Sequence, residues 1–271
     1  MGVVLFTNDS NRGQALAHLI VRAGIDLTLV VVENPSLREP RSNPFVRFLR
    51  LNLGKPYRWI KHTFLTKPED KKALNYEVQS LQIANAVVDD YILELGVNGR
   101  PEDVDYLETP KLNEATVITA VKRAKPDVCV VLGTSILKKT LISIPKIGTI
   151  NAHTSILPEY RGSKSEFWQC YNNDYSNVGM TLHLIDKGVD TGNILFQKKQ
   201  EVKDNPDPNM LRAINTLATL KNYVPVLKHV LDGLANPTVQ GPCTTPTYRF
   251  RDITLEKRLT VYKRILAKKN A

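Results

Sequence analysis

The chain has few cysteines, no glycine-rich phosphate loop, and no hydrophobic run long enough to span a bilayer. Cys129, Cys170 and Cys243 are odd in number and widely separated, which excludes a disulfide framework and a CxxC metal or redox motif. No Gly-x-Gly-x-x-Gly follows the first apolar run, so dinucleotide binding lacks its fingerprint. Gly54-Lys55-Pro56 does not complete a nucleotide-binding Lys-Ser/Thr loop, and no His/Cys/carboxylate spacing fits zinc. The N-terminal apolar run Val3–Phe6 ends at Thr7-Asn8-Asp9 with no basic stretch before it, unlike a secretory leader. These absences lead us to expect a reduced, cytoplasmic protein with no membrane span and no bound metal.

The composition, 42% hydrophobic and 24% charged, can bury a full core. The net charge of +10 is concentrated in two places. Residues 35–72 hold ten Lys/Arg against three Asp/Glu, and residues 246–271 hold eight against two; the remainder is slightly acidic. Either block can be a solvated helix face or a surface for an anionic partner.

Val3–Phe6 has the continuous apolar character of a strand buried on both faces. Ala15, Leu16, Leu19, Ile20 and Ala23 then trace one helix face ending at Gly24, and Leu27–Val32 is a second buried strand. This β-α-β opening predicts a right-handed crossover and an α/β, doubly wound, mostly parallel sheet. Residues 35–100 read as a helical insertion, with helices expected at 45–53 and 71–95. Strands are expected at 104–106, 127–132, 147–151, 178–185 and 194–202. Helices are expected at 113–124, 165–171 and 209–232, the last interrupted at Pro225. The expected organisation is one catalytic domain over 1–235, followed by a basic C-terminal extension over 236–271.

Two segments carry chemistry. Asn151-Ala152-His153-Thr154-Ser155-Ile156-Leu157-Pro158-Glu159-Tyr160-Arg161-Gly162 begins at the carboxyl end of a strand, where open α/β sheets bind ligands. Asp186-Lys187-Gly188-Val189-Asp190-Thr191-Gly192 follows the strand after it. Together they let an amide, an imidazole and a carboxylate converge from two loops. On these residues the chain resembles the 10-formyltetrahydrofolate-dependent formyltransferases, which have a Rossmann-like fold. The resemblance is strongest from about 127 to 202.

The resemblance implies formyl transfer from 10-formyltetrahydrofolate to a primary amine, with Asn151, His153 and Asp190 as the catalytic set. It places the donor on Gly133, Thr134, Ser135, Ile136 and Leu137 and on the loop Asp186, Lys187, Gly188 and Val189. The acceptor would lie near Asn8, Asp9, Ser10 and Asn11 and near Arg161, Gly162 and Ser163. The chemistry needs these residue types. An amide and a protonated imidazole can stabilise the oxyanion of a tetrahedral intermediate, and a carboxylate can manage the amine's proton.

In one branch of the family, the turn corresponding to 8–11 holds a substrate phosphate on a Gly/Ser-rich loop. Here that turn has no glycine before Gly13 and carries Asp9, which argues against glycinamide ribonucleotide as acceptor. The stretch after residue 235 is short for a separate tRNA-binding domain. A small-molecule amine remains, such as a sugar nucleotide or another phosphorylated amine, with nucleic acid disfavoured as a partner. Two rival readings stay open. One is formyltetrahydrofolate hydrolysis, whose relatives carry a regulatory domain ahead of the catalytic one. The other is a non-catalytic nucleic-acid-binding protein using the basic blocks. His183 lies mid-strand and reads as structural; His18, His62 and His229 read as surface or packing residues.

Overall fold

A computed structural model describes residues 1–37, 67–202 and 207–269. Seven strands form one sheet in the order β3-β2-β1-β4-β5-β6-β7. They are β1 (Gly2–Asn8), β2 (Asp26–Glu33), β3 (Asp105–Thr109), β4 (Val128–Leu132), β5 (Gly148–His153), β6 (Gly179–Leu184) and β7 (Ile194–Lys199). The first five pair parallel; β5–β6 and β6–β7 pair antiparallel. The fold is therefore the expected α/β doubly wound sheet, and the strand order reverses between β1 and β4.

Strand alternation divides the core. Val3 and Leu5 of β1 face a cluster built with α1 (Asn11–Arg22), α2 (Pro68–Glu94) and α6 (Pro208–Leu231). Val4 and Phe6 face the other side, against α3 (Ala115–Ala124) and the short α4 (Lys139–Ile142). A third cluster joins α5 (Ser165–Asn172), α2, α6 and α7 (Leu255–Lys269). Its α7 members, Val261, Tyr262 and Ile265, are buried although the helix is rich in lysine and arginine. Arg258 pairs with Glu77, and Lys263 with Asp70, so α7 is bound to α2 by charge as well as by packing.

The expected helix at 71–95 is α2, while the one at 45–53 lies outside the described residues. The expected break at Pro225 does not occur: α6 runs unbroken through it. A proline inside a helix costs about 3 kcal/mol. Buried Leu220, Tyr223 and Leu227 hold both sides of it on the sheet, and the Tyr223 hydroxyl lies 2.8 Å from the Ile150 carbonyl. Asp207 caps the start of α6 by accepting from the Asn209 and Met210 N–H groups, and it also accepts from Tyr76 and Ser80 of α2. Among the described residues no helix is long and apolar enough to cross a membrane.

Candidate active site

Asn151 and His153 are two apart at the carboxyl end of β5, so both project from the same face. Asp190 reaches them from the loop after β6, with left-handed backbone at φ 52°, a conformation aspartate tolerates better than most residues. Its carboxylate is the hub of the site. Oδ2 accepts from the Gly162 N–H at 2.8 Å and lies 3.4 Å from His153 Nδ1. Oδ1 lies 3.5 Å from both Asn151 Nδ2 and His183 Nε2. Burial alone would raise the Asp190 pKa. The charge of His153 and the Gly162 N–H outweigh it and hold the carboxyl well below the usual range.

The ring nitrogens of His153 are both engaged. Nε2–H donates to the Tyr160 carbonyl at 2.9 Å, Ser165 Oγ lies 3.3 Å from the same nitrogen, and Nδ1 faces Asp190. His183 is mid-strand as expected, but its position is not remote from the site. It pairs across β5–β6 with Asn151. Its Nδ1–H donates to the Leu184 carbonyl at 2.9 Å, so in the neutral ring Nε2 is an acceptor, 3.1 Å from Asn151 Nδ2. One N–H of Asn151 is thus directed at His183; the other, 3.5 Å from Asp190, is loosely held.

The two segments expected to hold the donor lie on loops at the same end of the sheet. Gly133 has φ 71°, and a Cβ there would stand 3.7 Å from Asn8 Nδ2. The 133–137 loop is tied down by residues that sequence reasoning missed. Glu33, buried at the end of β2, accepts from the Ser135 N–H and Oγ–H, both at 2.8 Å, and Asn113 donates to the Ile136 carbonyl. In the second loop Asp186 accepts from the Gly188 N–H and from the Thr191 hydroxyl. Each loop exposes one apolar side chain, Ile136 and Val189.

The expected acceptor residues divide. Asp9 and Ser10 border a cavity of only about 10 Å³, and Ser10 donates to Asn8 while Asn11 donates to Asp89. Arg161 reaches Gln240, and Gly162 serves Asp190 through its N–H. Ser163 is exposed and gives its N–H to the Tyr248 carbonyl. The segment after α6 frames these loops. Gln240 donates to the carbonyls of Asp190 and Gly192, and Tyr248 approaches Gly162 so closely that a Cβ there would meet its carbonyl oxygen at 2.0 Å. Only a glycine fits at Gly162, whose φ is 97°.

Residues 64–225, more than half the chain, match the family described as formyl transferase. The methionyl-tRNA formyltransferase of Pelobacter propionicus is 30% identical over 139 residues, 51% of this chain and 42% of that protein. The enzyme of the same name from Caldicellulosiruptor saccharolyticus is 37% identical over 117 residues, 39% of this chain and 37% of its own. The chain thus matches less than half the length of these curated relatives. In fold it is similar to WlaRD, a sugar 3N-formyltransferase crystallised in the presence of dTDP and 5-N-formyl-THF. That match has a TM-score of 0.58 at 14% identity and covers 97% of this chain and 79% of that one. Glycinamide ribonucleotide transformylase 1 of Symbiobacterium toebii gives a TM-score of 0.54 at 13% identity, covering 89% and 94%. On the family match, this chain belongs to the formyl transferase family.

Proposed function

We propose that the protein transfers a formyl group from 10-formyltetrahydrofolate to the primary amine of a small molecule. The observation that carries this is the convergence of Asn151, His153 and His183 on the Asp190 carboxylate, within a chain of this family. The loosely held N–H of Asn151 is the neutral donor available to the oxyanion that forms when the amine attacks the formyl carbon. Asp190, ionised and partly shielded, receives the proton the amine sheds, directly or through a water, and returns it to the folate N10 as the bond from N10 to the formyl carbon breaks, while His153 balances its charge. Gly133–Leu137 and Asp186–Val189 would hold the folate, whose flat ring suits the apolar edges that Ile136 and Val189 present.

The acceptor we favour is a phosphorylated amine such as a sugar nucleotide, in a cytoplasmic setting. Similarity in fold to sugar N-formyltransferases over nearly the whole chain supports it. A second reading, methionyl-tRNA as acceptor, draws on the curated relatives. Incubation with 10-formyltetrahydrofolate and a panel of amino sugars, sugar nucleotides and charged initiator tRNA, read by mass spectrometry, decides between them. Formylation of no amine, with folate consumed, would instead mean hydrolysis.

A further inference from the structure

Three cations gather beside the catalytic loop. Arg12 stands in the first turn of α1, just past the turn that ends β1. Lys164 directly precedes Ser165, which touches His153. Arg212 lies on α6 three residues before Asn215, whose amide donates to the Thr154 carbonyl at 3.4 Å. Arg12 and Arg212 line one cavity of about 70 Å³ with Asn85, Asn209 and the apolar Leu81, Ala84 and Ala213.

Among the described residues the charges in this region do not balance. Burial lowers the pKa of Arg12, and the charge of Arg212 lowers it further, while Lys164 is exposed. The opposing acids are few. Glu166 is buried with Oε1 lacking a hydrogen-bond partner, Asp89 acts on Arg12, and Glu77, which acts on Lys164, is already paired with Arg258. Arg12 donates to Asn85 and Lys164 lies over the Phe250 ring, but the Arg212 side chain has no hydrogen bond or ion pair among the described residues. Partly desolvated like charges without enough counter-charge are costly, and an anion brought into the cavity relieves that cost.

We propose that this cavity is the phosphate subsite of the amine acceptor, with Arg212 and Arg12 gripping the anion. The proposal rests on the reading of the site as a formyltransferase. Arg212 lies one helical turn before Asn215, whose amide donates to the Thr154 carbonyl, so the cavity stands beside the catalytic loop and suits a phosphorylated amine. The turn at Asn8–Asn11 is not part of this subsite.

The test is binding of inorganic pyrophosphate to the full chain, followed by calorimetry, with 5-formyltetrahydrofolate binding measured in parallel. Saturable binding is expected in the wild type, weakened about tenfold or more in both Arg212→Gln and Arg12→Gln, with folate affinity unchanged. Pyrophosphate that fails to bind, or that binds all three proteins alike, overturns the subsite. Loss of both ligands in Arg212→Gln, with both restored in Arg212→Lys, makes the arginine structural and also overturns it. Intact, residue-specific pyrophosphate binding in a protein that formylates nothing would sink the formyltransferase reading and leave the anion site standing.

Discussion

Asp190 and the Arg12–Arg212 cavity both take charge out of water, but they do so in opposite ways. The carboxylate is surrounded by partners: one backbone N–H, the His153 imidazole and an amide. Arg12 and Arg212 line one cavity together, and among the described residues the Arg212 side chain has no hydrogen bond or ion pair. A charge compensated within the chain is held in place whether or not substrate is present. A charge left uncompensated is a standing demand for a ligand. The first arrangement suits a group that must be correctly aimed before chemistry, and the second a group whose partner arrives with the acceptor.

The sharpest way to break the comparison is to remove the compensated charge. Asp190→Asn should lower kcat by about 100-fold or more while folate still binds. Asn151→Ala and His153→Ala should be comparable and, combined with Asp190→Asn, far less than additive, because all act on one intermediate. Wild-type turnover by Asp190→Asn in a single-turnover assay would remove the mechanism.

A smaller effect is expected one layer out. Glu33→Gln loosens the 133–137 loop and should weaken folate binding by roughly tenfold, seen as a reduced ligand-induced rise in Tm. His183→Gln keeps an acceptor near Asn151 but not the ring geometry. A fall in kcat of a few-fold with unchanged folate affinity is expected, and an equal loss of folate binding would make His183 merely structural.

The mildest tests concern stability, and here the two clusters should differ in sign. The folded pKa of Asp190 is depressed, so its stabilising contribution is complete above the unfolded value, near 4, and is lost as pH falls through the lower folded value. Asp190→Asn should therefore flatten the acid limb of the Tm-against-pH curve. Arg212→Gln, by relieving repulsion, should leave Tm in phosphate-free buffer equal to or above that of the wild type. A clear drop in Tm would mean that the cations are satisfied by contacts other than those described.

Much of this was legible in the sequence, for identifiable reasons. Buried parallel strands are continuous apolar runs, so β1, β2 and β4 announced themselves, and the strand carrying Asn151 and His153 marked the candidate site. The i, i+2 spacing of Asn151 and His153 put them on one face. What stayed hidden depends on register or on long-range contact. His183 joins the site because β6 runs antiparallel to β5 in the register that pairs it with Asn151, which no local pattern encodes. Glu33 acts on a loop about one hundred residues away, and Gln240 clamps a carbonyl fifty residues before it. In α7 the lysines and arginines masked the spacing of Val261, Tyr262 and Ile265, which gives that helix a buried face.

The Gln240 clamp has a consequence for motion. Asp190 is held at its backbone by a segment that follows α6, and Gly162 is pinned by Tyr248 farther along the same strap. The loop that carries Asp190 cannot swing out unless that strap lifts, so both should open as a single cooperative unit. Their amides would then share one hydrogen-exchange rate, faster than that of β1, which stays folded when the strap lifts. A nick between α6 and Gln240 would leave the sheet folded while releasing the carboxylate from its position, making the strap a fuse for activity rather than for the fold.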